Sequence, residues 1–298
     1  MPQFQDLVNR TKQLVQGFSQ NQQQWAYLTS SILTTDTTLA VNDSSQISRG
    51  MAEIGNSELV LVKSINQNTN QITIDPFGRG WNNTTAVAWP ANTRIENNVT
   101  WPNIWLKTAI NDAIRSVYPD LWAVGTTTLT KTSVVYEYQL PADAEEIISV
   151  QNQLIGPSKV WPFCRSWRFV GQASTTDFST GKSLFISDDI VPGRQIFVTY
   201  QKEPTELVND TDDFAGVTGL PASAQDVIVY GACMKLVVQF EAARLAIASV
   251  EASERAQFVQ PGSATRVSGY FGQLYKDRLE QEARKLRDRY PRPSHYDF

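Results

Sequence analysis

The segment LPASAQDVIVYGACMKLVVQF, residues 220–240, decides how the rest of the chain is interpreted, because it predicts a helix with very little polar surface. A proline is tolerated in the first turn of a helix, so the helix can begin at Pro221 with Ser223 as its cap. We predict that it extends to about Ala252. A helix that is apolar on nearly every side must be covered, either by other parts of the same chain or by other copies of it.

A second helix is predicted from Thr265 to Tyr290, after a break at Pro261-Gly262. One stripe of this helix is apolar and the opposite face is charged. Residues 274–292 contain seven Lys or Arg and four Asp or Glu, a net charge of +3, whereas the whole chain carries −4. This excess of positive charge is first explained by a solvated helix face, and the alternative is a docking surface for an acidic partner.

Composition sets the broad class of the protein. With 298 residues, 41% hydrophobic and 19% charged, the chain is expected to be globular, with one large domain or two to three small ones. It has no run of about 18 apolar residues and no basic segment followed by an apolar one at its start, so we expect no membrane span and no secretory signal. The sequence pI of about 5.2 argues against a general nucleic-acid-binding surface. Cys164 and Cys233 are expected to be reduced, buried thiols.

Helical and alternating periodicities divide the chain into six predicted segments. They are an N-terminal helix (1–24), a small β barrel or sandwich (25–98), a core helix (99–122), a second antiparallel β module (123–208), a C-terminal helix pair (209–290) and an extended arm (291–298). This order predicts an α+β fold in which a helical core, made of the N-terminal helix, the middle helix and the C-terminal pair, carries two antiparallel β insertions.

The strands of the second β module are predicted from runs of β-branched and aromatic residues between turn signals. They are Ser133–Leu140, Glu146–Val150, Trp167–Val170, Ser183–Ile186 and Gln195–Tyr200.

The chain is poor in residues that carry catalysis. Its single histidine, His295, is three residues from the end, so catalytic triads and zinc sites built on internal histidines are excluded. The glycine-rich turn around Gly78 has no G-K-[ST] sequence and is not expected to hold a phosphate. Neighbouring carboxylates such as Asp188-Asp189 lie in loops, where solvation explains them. We therefore predict no enzymatic activity and no cofactor.

Three groups of residues carry a resemblance to a known family. They are Lys107–Ile114 with Tyr118-Pro119; Leu220–Ala232 followed by Tyr275–Leu279 and Arg287–Pro291; and Gly55, Glu58–Val60 and Phe77–Trp81 with Thr84-Thr85. The first two resemble the early core helix and the closing helix pair of tailed-bacteriophage head-to-tail adaptors, also called connectors or head-completion proteins. The third is similar to a β module of phage structural proteins with a recurring R-G-[aromatic]-x-x-T-T turn, in which Trp89-Pro90 stands where a histidine is more frequent.

The resemblance implies a structural virion protein, made in the host cytoplasm and located at the neck of the particle. Proteins of this family form a ring, usually of twelve copies, beneath the portal. The ring extends the DNA channel, lets double-stranded DNA pass without tight binding, and provides the platform for the tail. The implied partners are the portal protein, the next neck or tail-completion protein, and other copies of the chain. The alternative is an aromatic-rich surface- or carbohydrate-binding virion component of a baseplate or fibre.

Three sets of candidate residues follow. In the resembling family the C-terminal segment reaches the portal, so the candidates for portal binding are Arg287, Arg289, Arg292, His295, Tyr296 and Phe298. Apolar residues of the two core helices are candidates for contacts between copies: Trp105, Val227, Tyr230, Met234, Val237 and Phe240. An acidic wall repels phosphate, so the candidates that face the channel are Asp210, Asp212 and Asp213.

Overall fold

The computed structural model describes residues 2–16, 24–97, 99–154, 160–245 and 263–293, without the side chains of 239–245 and 263–265. This part of the chain contains five α-helices and two short 3-10 helices, at Ser44–Gln46 and Ala222–Ala224. The α-helices are α1 (Phe4–Gln16), α2 (Asn103–Ser116), α3 (Phe214–Thr218), α4 (Gln225–Leu245) and α5 (Ser263–Arg289).

Twelve strands in three antiparallel sheets accompany the helices in the described residues. They are β1 (Gln24–Tyr27), β2 (Thr38–Ala40), β3 (Gly50–Ile54), β4 (Glu58–Asn66), β5 (Gln71–Ile74), β6 (Arg94–Asn97), β7 (Ala123–Thr130), β8 (Glu137–Gln139), β9 (Glu146–Asn152), β10 (Trp167–Val170), β11 (Ser183–Ile186) and β12 (Gln195–Lys202). One sheet has six strands in the order β1-β6-β3-β4-β5-β2, and two have three, in the orders β10-β11-β8 and β7-β12-β9.

The predicted fold class, a helical core with two β insertions, is wrong, because the structure is a β-rich α+β fold. Two hydrophobic cores are made by strands and their adjoining loops, one within residues 26–95 and the other within 138–200. Each β region therefore has its own cluster of buried apolar residues, in addition to those that the helices bury.

The six-stranded sheet curls so that its two edge strands meet. An isolated antiparallel bridge joins Leu28, just after β1, to Val41, just after β2. Around this bridge the N–H of Thr29 donates to the carbonyl of Ala40 at 3.0 Å. The alternation of the strands directs one apolar face inward, where Leu39, Ile72 and other aliphatic side chains are fully buried.

The turn that follows β5 is organised by a buried ion pair between Arg79 and Glu58, whose side chains are 6% and 0% exposed. The guanidinium donates two hydrogen bonds to the Glu58 carboxylate and three to the carbonyls of Leu33, Asp36 and Val87, so all five of its N–H groups are used.

Gly80 and Thr84, which belong to the same sequence pattern, also have structural roles in this turn. Gly80 has a positive φ of 63°, a conformation that favours glycine. The hydroxyl of Thr84 accepts from the N–H of Leu59 at 3.0 Å and donates to the carbonyl of Trp81 at 2.8 Å. The R-G-[aromatic]-x-x-T-T pattern is thus the set of residues that holds this loop against β4.

The two three-stranded sheets pack on each other around the second core. Its buried residues include Tyr138, Ile147, Trp167, Leu184 and Val198, with one residue or more from each of β8 to β12. In the long strand β12, Tyr200 lies opposite Gly125 of β7, and a Cβ atom at Gly125 would come within 2.3 Å of the tyrosine ring. The missing side chain of Gly125 is therefore what makes room for that ring.

The chain divides into two compact units, each built from several chain segments. One contains Met1–Gln5, Asn111–Gly231 and Tyr270–Phe298, and the other contains Asp6–Ile110 and Ala232–Gly269. The first includes both three-stranded sheets and the second includes the six-stranded sheet. Among the described residues, the structure contains no helix with the length and apolarity needed to cross a bilayer.

The helix predicted from Pro221 begins differently in the structure. A 3-10 turn at Ala222–Ala224 precedes α4, which starts at Gln225. Ser223, predicted as a cap, donates its hydroxyl to Glu282 of α5 at 2.5 Å. The predicted end at Ala252 lies outside the described residues.

Candidate functional site

The C-terminal helix α5 separates its apolar side chains from most of its charges. Phe271, Ala283 and Leu286 are buried. The exposed basic side chains are Arg266, Lys276, Arg284, Lys285, Arg287 and Arg289, and the exposed acidic ones are Asp277, Glu280 and Asp288. Together with Asp120, residues on this face line a shallow surface depression that includes Tyr275 and Leu279. The depression carries both basic side chains and the carboxylates of Asp120 and Glu280, and exposed basic residues outnumber exposed acidic ones on α5.

Glu282, which the sequence placed on the charged face of this helix, is buried instead. It accepts hydrogen bonds from the hydroxyl of Ser223 at 2.5 Å and from the ammonium of Lys285 at 2.7 Å. Burial by itself would raise the pKa of Glu282, but these two hydrogen bonds outweigh it and lower the pKa. An ion pair also joins Arg278 to Asp226 at 3.1 Å, so α5 contacts both the 3-10 turn before α4 and the first turn of α4.

The end of α5 lies beside the start of the sheet β7-β12-β9. The ring of Tyr290 is 5.6 Å from the ring of Trp122, the residue before β7. Arg292 forms a bidentate ion pair with Glu146, the first residue of β9, in which the Nη2 to Oε2 distance is 2.8 Å. Both side chains remain about half exposed, at 54% and 48%.

The candidate portal-binding residues differ in their exposure and in whether they already have a partner within the chain. Arg287 and Arg289 are exposed and available to a partner. Arg292 is already paired with Glu146 within the chain, although its side chain remains about half exposed. His295, Tyr296 and Phe298 lie outside the described residues.

The three candidate channel aspartates stabilise a loop that contacts the N-terminus. The carboxylate of Asp212 accepts from the N–H groups of Val208 and Asn209 at 2.9 and 2.8 Å, and these bonds lower its pKa. Asp213 caps α3 by accepting from the N–H of Gly216 at 2.7 Å. The carbonyl of Asp210 accepts from the N–H of Gln5 at 3.1 Å, which joins the loop to the start of the chain. All three side chains are partly exposed.

The candidate residues for contacts between copies also differ in exposure. Val227 and Val237 are buried within the chain itself, whereas Tyr230 and Met234 are partly exposed and Trp105 is 37% exposed. The side chain of Phe240 lies outside the described residues. Within its own unit, Tyr230 stacks against Phe271 with ring centroids 6.5 Å apart. A surface available to another copy is therefore offered by Trp105 rather than by the valines.

The two thiols are unreactive at neutral pH. Cys164 and Cys233 are free and buried, and burial raises the pKa of each to about 12. The thiolate, which is the nucleophilic form, is therefore scarce at neutral pH. Within the described residues, no group of three or more His, Cys, Asp or Glu side chains is placed to hold a metal ion.

Sequence reasoning missed an exposed apolar loop in the second β module. The run Ser133-Val134-Val135-Tyr136 was predicted as the start of a strand, but β8 begins only at Glu137. Val134, Val135 and Tyr136 are exposed in the loop that precedes it. The sequence of this run did not distinguish the two structures, because β-branched residues beside Thr132-Ser133 fit an exposed loop as well as a strand.

The comparison with known proteins agrees with these features. The SU10 adaptor protein family matches residues 84–295, more than two thirds of the chain and all of both three-stranded sheets, α2, α3, α4 and α5. No curated protein matches the chain. The length of the match, which includes the middle helix and the C-terminal helix pair quoted from the sequence, establishes the relationship: the chain belongs to the SU10 adaptor protein family.

Proposed function

We propose that this chain forms the adaptor ring between the portal and the tail of a tailed bacteriophage, where it extends the DNA channel and provides the platform for tail attachment. The observation that carries the proposal is the family match over residues 84–295, because a phage adaptor is a structural component of the virion. The site chemistry supports a structural role, since the described surface offers charged and apolar contact areas with buried, unreactive thiols.

The ring requires contacts between unlike surfaces of neighbouring copies. A closed ring is built from heterologous interfaces, in which one patch of each copy meets a different patch of the next. Trp105 on α2, which is 37% exposed, is our candidate for one of these patches, because tryptophan contributes a large apolar area when an interface covers it. We propose twelve copies in the ring, as in the family that the sequence resembles.

The portal side of the ring is assigned to the C-terminal end of α5. Arg287 and Arg289 are exposed there, and a guanidinium binds a partner carboxylate with two parallel hydrogen bonds. The chain carries −4 overall, so this local positive charge favours an acidic partner over another similar surface of the same chain.

The channel wall is assigned to the loop of Asp210, Asp212 and Asp213. Hydrogen bonds hold the pKa of Asp212 below its ordinary value, so its carboxylate stays charged at neutral pH and repels phosphate. We expect the purified protein to show no tight, salt-sensitive binding to double-stranded DNA. Binding with a steep salt dependence would count against this assignment, because counterion release is typical of a basic surface.

The experiment that tests the proposal is electron microscopy of intact and disrupted virions that carry this chain. We expect the protein in a closed ring between the portal vertex and the tail. Its presence as a fibre, as a baseplate component or in any open assembly would overturn the proposal.

A further inference from the structure

The strand β7 forms one edge of the sheet β7-β12-β9, and its outer side is uncovered. Its eight residues pair with β12 along their whole length in one continuous register. In the described part of the chain, no other backbone group is hydrogen-bonded to the opposite side of β7. Its first residue, Ala123, is buried beside Gly219 at the end of α3, whereas Thr126, Thr128 and Thr130 are exposed. The free part of the edge therefore begins near Thr126.

The other outer strands of the three sheets are covered or short. The two outer strands of the six-stranded sheet meet at the bridge between Leu28 and Val41. The outer side of β9 is covered by residues 162–164, where the N–H of Cys164 donates to the carbonyl of Val150 at 2.9 Å. β8 and β10 are only three and four residues long, and each contains a charged residue. Short strands and charged side chains are common means of protecting an edge from pairing with another chain.

β7, with the sequence AVGTTTLT, has none of these protections. It contains no charged residue and no proline, and its pairing with β12 has no bulge. Three consecutive threonines add to its preference for the strand conformation. An edge of this kind is a template for pairing with another strand. The difference between β7 and the other edges therefore indicates that a further strand covers it.

The register of β7 shows which of its backbone groups point outward. Lys131, the residue after the strand, donates its N–H to the carbonyl of Arg194 on the β12 side at 2.8 Å. In an antiparallel pair the N–H and C=O groups of successive residues point to opposite sides. The even-numbered residues of the strand therefore present their backbone groups to the outside: Val124, Thr126, Thr128 and Thr130.

A second copy of β7 is complementary to this edge. Two identical strands related by a two-fold axis run antiparallel, and each donor of one meets an acceptor of the other when even-numbered residues lie opposite each other. With the axis at Thr128, Thr126 lies opposite Thr130 of the second copy, and Thr128 lies opposite its own counterpart. The opposed side chains are then all threonines, a pair that is favoured across antiparallel strands, and no charges repel each other.

Other occupants fit this edge less well. Another copy of the chain must offer a free strand edge of similar length, and among the described strands its other edges are covered or short. A nucleic acid is disfavoured, because β7 has no positive charge to neutralise phosphates. A copy of β7 itself has the required length, hydrogen-bonding pattern and lack of charge.

We infer that β7 is the contact between two copies of the free protein, which pair edge to edge about a two-fold axis and join their three-stranded sheets into one sheet of six strands. A two-fold contact closes after two copies and cannot continue round a ring of heterologous interfaces, so the pair must separate before a ring is built. The inference does not rest on the proposed function. In the free protein this contact covers an edge that otherwise promotes aggregation.

The test measures the mass of the purified protein by sedimentation equilibrium at concentrations up to about 100 µM, a range that includes weak interfaces. The variant is Thr128→Lys, which places like charges opposite each other at the proposed axis. Its matched control is Thr176→Lys, the same change at an exposed threonine of the same compact unit, in the loop between β10 and β11. Circular dichroism and urea unfolding check that both variants keep the fold.

A cross-link tests the symmetry of the contact. A two-fold axis brings the same residue of two copies together, so Thr128→Cys should form a disulfide-linked dimer on oxidation, whereas the control Thr176→Cys should not. The native cysteines, Cys164 and Cys233, are buried and do not compete in this reaction.

We expect a dimer for the unmodified protein and for Thr176→Lys, and a dimer weakened roughly tenfold or more for Thr128→Lys. An unmodified protein that stays monomeric over this range would overturn the inference, and so would equal affinities of the two lysine variants. Assemblies larger than a dimer, without the Thr128→Cys cross-link, would also overturn it, by assigning β7 to a heterologous contact. If Thr128→Lys fails to fold, the cross-link decides between these outcomes. Absence of the protein from the neck of virions would end the proposed function without changing any of these results.

Discussion

At the scale of single residues, the ion pair between Glu58 and Arg79 sets the conformation of a whole loop. Besides the guanidinium, the Glu58 carboxylate accepts hydrogen bonds from the N–H of Val87 at 3.1 Å and the indole of Trp89 at 2.8 Å. Burial alone would raise the pKa of Glu58, but the hydrogen bonds from Arg79, Val87 and Trp89 lower it. The folded structure therefore favours the charged form of Glu58.

We predict that Glu58→Gln lowers the free energy of unfolding by about 3 kcal/mol, because it leaves the buried guanidinium of Arg79 without its counter-ion. Urea titration followed by circular dichroism measures this change. The control is Glu280→Gln, which removes one member of the pair with Arg284 on the surface, where both side chains are more than 70% exposed. That change should cost less than about 0.5 kcal/mol. A loss below 1 kcal/mol for Glu58→Gln would contradict the role given to the pair.

A second buried carboxylate gives the protein a pH-dependent stability near neutrality. Glu53 accepts from the first N–H of α2, at Asn103, at 2.9 Å, and burial raises its pKa from 4.5 to about 7. Glu96, its neighbour across the β3-β6 pair, raises the pKa further, whereas Lys12 and Lys107 lower it. The folded state holds the proton more tightly than the unfolded state does, so stability is greatest below pH 4.5 with respect to this group and falls as the pH rises to about 7.

We predict that Glu53→Gln removes this dependence, because glutamine keeps the hydrogen bond to Asn103 and cannot ionise. The difference in unfolding free energy between the variant and the wild type should grow between pH 5 and pH 8 in favour of the variant, on the order of 2–3 kcal/mol. Denaturant titrations at several pH values measure it. A constant difference across that range would show that Glu53 does not titrate there.

At the scale of secondary-structure elements, helices pack closely at Gly231 of α4. A Cβ atom at this position would lie 3.2 Å from the Cβ of Ala113 in α2 and 3.2 Å from the ring of Tyr275 in α5. The glycine therefore allows the three helices to approach one another at these residues, which belong to one compact unit. At Gly269, by contrast, a Cβ atom would meet nothing within 4 Å.

We predict opposite effects for the same substitution at these two glycines. Gly231→Leu should lower the free energy of unfolding by about 2 kcal/mol, because the side chain has no space between the helices. Gly269→Leu should raise it by up to about 1 kcal/mol, because leucine favours the helix more than glycine does. Thermal and urea unfolding of both variants distinguish the effects. Equal changes at the two positions would show that the helices do not pack at Gly231 as described.

The elements that the sequence predicts well are those with strong local periodicity. The strands over Trp167–Val170 and Ser183–Ile186 appear at those residues, and the helix over Thr265–Tyr290 appears as Ser263–Arg289. The strand predicted at Ser133 fails at its start, because a β-branched run alone does not show whether neighbours will pair with it.

The fold class failed for a related reason, since periodicity does not reveal that twelve strands pair into sheets with their own cores. The buried carboxylates were also invisible in the sequence. Glu58 meets Arg79 across 21 positions and Glu53 meets Asn103 across 50, and contacts at such separations depend on the fold. The candidate site was predicted in part, because the charged face of α5 follows from helical spacing, whereas the burial of Glu282 depends on Ser223 in another element.

At the scale of the whole molecule, the C-terminal arm connects the fold to the proposed portal contact. Helix α5 ends at Arg289, and Pro291 and Pro293 prevent its continuation. Arg292 lies between these prolines and reaches back to Glu146. An ion pair between half-exposed side chains contributes less than about 1 kcal/mol, so a partner that offers a better-placed carboxylate can take its place.

We predict that deletion of Pro291–Phe298 leaves the unfolding free energy within about 1 kcal/mol of the wild type but prevents the protein from joining DNA-filled heads. The fold should persist because the cores lie elsewhere in the chain, and attachment should fail because the arm supplies Arg292 and its aromatic residues to the portal. The control is Glu146→Gln, which releases Arg292 from its internal partner while keeping the arm, and which should attach at least as well as the wild type. Sedimentation of heads with bound protein measures attachment for both variants. Normal attachment by the truncated protein would place the portal contact elsewhere, and a loss of attachment by Glu146→Gln would mean that the internal ion pair itself positions the arm for binding.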